Sequence, residues 1–307
     1  MKNHVYDMIV IGGGPGGYTT ALYAARAGLD VLVLEKLSAG GQMAQTHLIE
    51  NYPGFPEGID GWELGEKMLS QAERFGAKTE YAEVTELDLA AQPKRIQSSE
   101  GEFLAKTVVI ATGAGPKALG LPKEAELTGR GVAYCAACDG MFYKGKTVMV
   151  VGGGNSAAAD ALLLSRVAKK VYLVHRRDTL RATKVYHQPL MEAENVEFLW
   201  DSAAVALEHG QKLTGVRVKN LKSGEEKLVE VDGMFVSIGR KPATELVKGQ
   251  LQLDDGGYII AGEDTVSSIP GVYAVGDVRT KHLRQIVTAV ADGAVAVHQA
   301  EEFLSGL

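Results

Sequence analysis

The chain has 307 residues, 46% of them hydrophobic and 23% charged, which points to about two folded domains and excludes disordered, collagen-like and coiled-coil architectures. Lys and Arg number 32 against 38 Asp and Glu, a net charge of −6 without a basic block, which argues against nucleic acid or anionic lipid as the main partner. No run reaches the ~18 consecutive apolar residues of a membrane span. Met1 to Gly14 passes from a short apolar run straight into glycines with no signal-peptide core, so a cytoplasmic location is expected. Glycine is in excess at 37 residues, the mark of backbone that approaches something closely.

In chain order, DMIVIGGGPGG at 7–17 predicts a strand that ends in Gly12-x-Gly14-x-x-Gly17. A helix from Tyr18 to Ala27, closed by Gly28, and a strand from Val31 to Leu34 that ends at Glu35 should follow. Residues 38–62 have neither helical nor strand period and read as a binding loop. The polar alternation over 78–105 predicts an antiparallel meander, and a strand from Thr107 to Ala111 then runs into Thr112-Gly113-Ala114-Gly115-Pro116. The pattern recurs 140 positions on: strand Thr147 to Val151, Gly152-x-Gly154-x-x-Ala157, a helix to about Ala168 and a strand from Val171 to Val174. A second meander is expected over 196–231, with a closing strand from Phe235 to Ile238 ahead of Gly239-Arg240-Lys241-Pro242. Beyond Pro242 a short strand within 271–277 and an apolar helix from about Gln285 to Leu304 return to complete the first domain.

One glycine-rich turn is weak evidence, but two in the strand-turn-helix-strand context are strong. The first glycine makes the turn, the second admits a pyrophosphate, and the third packs helix on strand while helix N–H groups face the phosphates. Aligning the copies sets Glu35 opposite His175. A carboxylate suits the hydroxyls of an unphosphorylated ribose, so the first site fits FAD or NAD. The second copy instead has His175, Arg176, Arg177 and, a turn on, Arg181. Guanidinium groups there would bind a 2′-phosphate, so this site fits NADP(H).

Cys135-Ala136-Ala137-Cys138 holds the two cysteines of the chain. The pair reads best as a redox disulfide, with inert buried thiols and a zinc half-site shared between subunits as alternatives. The seven histidines, His47 included, show no ligand spacing. Asp139, next in sequence, is a natural proton donor or else a helix cap. Gly140-x-x-x-x-Gly145-Lys146-Thr147 matches a P-loop in letters only, because it precedes a strand instead of following one.

GGGPGG, GGQ at 40–42, ENYPGF at 50–55, ATG at 111–113, CAACDG at 135–140, GGGNSA at 152–157, HRRDTLRA at 175–182 and GDVRTKHLRQ at 276–285 occur in the order seen in low-molecular-weight thioredoxin reductases, and the chain resembles that family over its whole length. The departures are small: Pro-Lys-Glu at 122–124, where a glycine often stands in the middle, and a third alanine at Ala159. The implied fold class is α/β, with two Rossmann-like three-layer (ββα) dinucleotide-binding domains, the second inserted into the first. Residues 1–114 and 244–307 would form the FAD domain, and 115–243 the NADPH domain carrying the disulfide. Gly12, Gly14, Gly17, Glu35, Gly41, Gln42, Asn51, Asp277, Arg284 and Gln285 would touch FAD. Gly152, Gly154, Asn155, Ser156, Ala157, His175, Arg176, Arg177 and Arg181 would touch NADPH. By the same resemblance Cys138 faces the flavin, Cys135 attacks thioredoxin, Asp139 handles protons, and the enzyme is a homodimer. Nicotinamide and disulfide would take turns at the flavin, with the two crossings near Gly113–Pro116 and Gly239–Pro242 as hinges. Rival readings are a reductase of a peroxiredoxin or other redoxin, a ferredoxin-dependent relative, and a non-enzymatic flavin sensor.

Overall fold

The structure, a computed structural model, describes residues 4–46 and 48–306. It divides into two compact units, Met1–Gly115 with Lys241–Leu307, and Pro116–Arg240. The first opens with β1 (Val5–Ile11), α1 (Pro15–Arg26), β2 (Val31–Glu35), α2 (Gly61–Arg74) and β3 (Lys78–Tyr81). It continues through β4 (Val84–Asp88), β5 (Lys94–Ser98) and β6 (Gly101–Ile110), and leaves along β7 (Ala114–Pro116). The second unit holds β8 (Val132–Ala133), α3 (Ala136–Asp139), β9 (Thr147–Val151), α4 (Asn155–Ser165), β10 (Lys170–Val174), α5 (His187–Glu192) and β11 (Val196–Leu199). β12 (Ser202–His209), β13 (Leu213–Asn220), β14 (Glu226–Glu230) and β15 (Gly233–Val236) complete it. The chain re-enters the first unit along β16 (Arg240–Pro242), a strand paired with β7, and ends with β17 (Val272–Ala274) and α6 (Ile286–Ser305).

In the first unit β3, β2, β1 and β6 lie side by side in parallel, and β17 adds to the last residues of β6. The alternation of β1 explains the layering. Met8 and Val10 face the helix side, packed with Tyr18, Ala21 and Ala24 of α1 and Ala296 and Ala300 of α6. Ile9 and Ile11 face the other side, packed with Leu87, Leu89 and Ile96 of the meander. A strand covered on both faces reads as a continuous apolar run, and each buried branched side chain contributes about 1.5–3 kcal/mol.

The second unit repeats the plan. Its parallel sheet runs β11-β10-β9-β15-β8, and β12-β13-β14 form a separate antiparallel sheet. Val148 and Val150 pack on Ala157, Ala161 and Leu164 of α4, while Met149 and Val151 pack on Val216, Val218 and Val229. Both units are therefore three-layer ββα structures, as the sequence led one to expect.

Four boundaries differ from the sequence reading. The first strand of each expected meander joins the parallel sheet instead: β3 pairs with β2, and β11 with β10. Each is the return strand after a helix, α2 or α5, and a βαβ crossover places it parallel. β6 serves two layers, since its first residues pair antiparallel with β5 and its last ones parallel with β17. α4 stops at Ser165 rather than near Ala168.

Candidate active site

At the first glycine turn, Gly12 has a φ of +109°, and a Cβ there would lie 2.5 Å from the Ala111 carbonyl oxygen. A Cβ on Gly17 would lie 1.9 Å from the Gly12 oxygen, so helix and strand meet at a distance only glycine allows. A Cβ on Gly14 would meet nothing within 4 Å. Gly14 is also the N-cap of α1 and offers no side-chain acceptor, so the first N–H groups of that helix are left for a ligand. Glu35, at the end of β2, accepts from the Gly13 N–H at 2.6 Å and the Leu37 N–H at 3.0 Å, which holds its carboxylate at the turn.

Other candidates of this unit gather in smaller groups. Gly41, at φ +56°, lies against Gly14, its Cβ position 3.4 Å from the Gly14 Cα. Gln42 stands near Gly115. Asn51 Nδ2 donates to Gln285 Oε1 at 3.1 Å, across 234 positions of sequence, and Gln285 is the N-cap of α6. Arg284 donates to the Asp277 oxygen at 3.4 Å and lies 4.0 Å over the Tyr258 ring. α6 crosses α1 so closely that a Cβ on Gly293 would sit 2.6 Å from the Gly16 oxygen, and this brings the 275–293 segment beside the glycine turn.

The second glycine turn repeats the geometry. A Cβ on Gly152 would collide with the Ser237 oxygen at 2.3 Å, and one on Gly154 would meet nothing within 4 Å. Gly154 caps α4 without a side-chain bond. Ala157 is fully buried where the first copy has Gly17, so helix packing tolerates one methyl here. Asn155 Oδ1 accepts from the Thr183 N–H at 2.8 Å, and Ser156 is exposed. The Arg181 N–H donates to the Gly153 oxygen at 2.7 Å, which folds the 175–182 segment back over the turn. The His175 ring covers Gly153, where a Cβ would lie 2.2 Å from Nδ1, and Nε2 is buried without a partner. Burial, then the charges of Arg181, Arg176 and Arg177, push this imidazole below its ordinary value. All three arginine side chains are exposed.

Cys135 and Cys138 are joined in a disulfide, with Cys135 as the N-cap of α3. With both sulfurs in the bond, free thiols and thiolate zinc ligands do not describe this state. Among the described residues no group of three or more His, Cys, Asp and Glu could hold a metal; His47 lies outside them. The P-loop letters form no cradle: the Gly145 N–H is spent on the Val167 oxygen, and β9 begins at Thr147.

Burial lifts the Asp139 carboxyl to about 6. Because the folded value is raised above 3.8, ionising Asp139 costs stability, a cost that sets in above pH 4 and is complete above about pH 6. Asp139→Asn should therefore gain in melting temperature relative to wild type as the pH rises from 4 to 8. Melts of both proteins at the two ends test this, and a gap that does not widen would contradict a buried carboxyl.

Residues that motif reading passed over complete the surroundings. Glu124, 3% exposed, accepts from the N–H groups of Leu119, Gly120 and Leu121 and from the Tyr134 hydroxyl, tying that loop to the residue before Cys135. Burial, helped by Glu124, pushes Tyr134 up to about 12. Ser237 donates to Asp160 of α4 at 2.5 Å beside the second turn. Only the acid three residues into a Pro-Lys-Glu loop signalled Glu124 in the sequence.

Two glycine turns open at their second glycine, uncapped helices behind them, and a closed C-x-x-C disulfide are the combination that disulfide oxidoreduction with dinucleotide cofactors requires. A family model described as pyridine nucleotide-disulphide oxidoreductase matches residues 6–293. Similar curated relatives are the thioredoxin reductases of Listeria monocytogenes, 43% identical over 100% of this chain and 96% of that one, and Streptomyces coelicolor, 44% identical over 99% and 95%. The crystal structure of thioredoxin reductase from Streptococcus pyogenes superposes with a TM-score of 0.90 at 42% identity, covering 100% of both chains. The chain therefore belongs to the pyridine nucleotide-disulphide oxidoreductase family, in its low-molecular-weight thioredoxin reductase branch. That family works with flavin and nicotinamide cofactors. Among the described residues no helix is long and apolar enough to cross a membrane.

Proposed function

We infer that the chain is an NADPH-dependent thioredoxin-disulfide reductase with FAD in the first unit and NADPH in the second. The observation that carries this reading is a closed Cys135–Cys138 disulfide in the unit whose glycine turn is followed by three arginines at the ribose position. FAD, when bound, supplies the two-electron relay between the nicotinamide hydride and the disulfide.

The protein's own residues do the rest. The Gly12–Gly17 turn admits the flavin pyrophosphate, and Glu35, already fixed by two N–H groups, keeps lone pairs for the ribose hydroxyls. Gly41, Gln42, Asn51, Asp277, Arg284 and Gln285 hold the remainder of FAD. Gly152, Gly154, Asn155, Ser156 and Ala157 receive the NADPH pyrophosphate, and His175, Arg176, Arg177 and Arg181 receive its 2′-phosphate. Two electrons and two protons open the Cys135–Cys138 bond, with Cys138 toward the flavin. Asp139, whose carboxyl burial lifts to about 6, is the group placed to exchange the proton with the departing thiolate. Cys135 then attacks the thioredoxin disulfide, a mixed disulfide forms, and Cys138 resolves it, so reduced thioredoxin leaves and the disulfide is restored. Met141 and Phe142, 52% and 47% exposed just past Asp139, offer an apolar patch to a protein partner. A homodimer in the cytoplasm belongs to the same proposal and rests on likeness to that branch.

Anaerobic titration of the purified protein is the decisive experiment. NADPH should bleach the yellow flavin at far lower concentration than NADH, and thioredoxin with a disulfide dye should then give turnover. A colourless protein that does not take up FAD would end the proposal.

A further inference from the structure

The first unit contains a buried charge cluster that the chemistry above does not use. Asp292 of α6, 5% exposed, accepts from the Gly276 N–H at 2.8 Å, Arg279 Nε at 3.0 Å, Arg279 Nη2 at 2.7 Å and Lys281 Nζ at 2.7 Å. Arg279, 1% exposed, also donates to the Thr280 oxygen at 2.9 Å and the Ala261 oxygen at 3.4 Å, and Lys281 to the Thr288 oxygen at 3.2 Å. Burial works to raise the Asp292 carboxyl, but the bonds from Arg279 and Lys281 prevail and hold it below the usual carboxylate range.

Stability alone is a weak reason for such a cluster, because buried ion pairs replaced by well-packed apolar residues often leave a protein no less stable. Its placement suggests another. Gly276 turns the chain after β17 with a φ of +78°, and Asp292 takes the N–H that this turn presents. Arg279 ties the end of the same turn to the same carboxylate. Between them stands Asp277. Arg284 in turn donates to the Asp277 and Arg279 oxygens, so its place depends on where the turn sits.

We propose that Asp292 is a positioning residue for flavin binding: it anchors the 276–279 turn to α6 and thereby sets Asp277 and Arg284 for the cofactor. The inference rests on the reading that these two residues hold FAD. Asp292→Asn alone would leave two buried cations without an anion and endanger folding. Combined with Lys281→Met, it removes the carboxylate while leaving one cation, Arg279, without that partner instead of two, and Lys281→Met alone is the reference. Asp292→Glu, which keeps the charge and the donors but reaches one methylene further, is a second, independent probe.

Deflavinated proteins are titrated with FAD, the fluorescence of the bound flavin is recorded, and the flavin-free proteins are melted. The double variant should bind FAD about tenfold more weakly than Lys281→Met, the weight of one hydrogen bond to a charged group. Its bound flavin should fluoresce more brightly. Its flavin-free melting temperature should fall below the reference because Arg279 is left buried without its carboxylate, so Asp292→Glu, which keeps the pair, is the variant that separates positioning from stability. Asp292→Glu should also weaken FAD at unchanged melting temperature. Equal FAD affinity in the variants and the reference overturns the proposal, whatever the melts show. A wild-type protein that fails to bind FAD overturns the underlying flavin assignment instead.

Discussion

Cys138→Ser should lower NADPH-driven reduction of thioredoxin by about 10³-fold or more while leaving FAD and NADPH uptake unchanged. The pair is closed as a disulfide within one turn, Cys138 N–H donating to Cys135 Sγ at 3.2 Å, so there is one place where two electrons can be stored as thiols. Serine keeps the shape of the side chain but forms no disulfide, and the protein supplies no third cysteine to replace it. Reduction of the flavin by NADPH needs neither sulfur and should persist. Stopped-flow absorbance separates the two half-reactions. Undiminished thioredoxin turnover by Cys138→Ser would remove the disulfide from the reaction.

Arg177→Gln combined with Arg181→Gln should reduce kcat/KM for NADPH by about 10², with kcat for NADPH and kcat/KM for NADH little changed. Each charge-assisted bond to a 2′-phosphate contributes about 1.5–3 kcal/mol, and because these side chains are exposed the lower end applies, which for two bonds gives that factor. NADH has no phosphate at this position and should not feel the loss. Added salt should weaken NADPH binding to the wild type more than to the variant. Equal losses for both nucleotides would show that the arginines shape the loop instead of reading the phosphate. The contrast with Glu35 strengthens the expectation, because the first copy fixes a carboxylate at the matching position by two backbone N–H groups.

Much of this was legible from sequence because the informative signals are local. A strand, a glycine turn and a helix are set by neighbours a few residues apart, so β1-α1-β2 and β9-α4-β10 could be located by spacing, and their repetition made the two-unit α/β architecture readable. The C-x-x-C spacing likewise carries its own geometry, since residues three apart on one turn can meet. The same locality explains why β1 and β9 showed themselves as apolar runs: covered on both faces, they have no polar side to conceal.

What the amino-acid sequence determined by itself was thus the repeated dinucleotide unit, the acid and the arginines that distinguish its copies, and the cysteine pair. Tertiary structure alone decided which strands β3 and β11 join, that β6 belongs to two layers, and that Asn51 meets Gln285 across 234 positions. It also decided that Asp292, Arg279 and Lys281 share one buried cluster and that Glu124 gathers three backbone N–H groups and a tyrosine. The reason is physical: a charged residue in a sequence looks the same whether it will be solvated or buried. Only folding, by withdrawing water and bringing distant donors within 3 Å, turns it into a fixed element of a site.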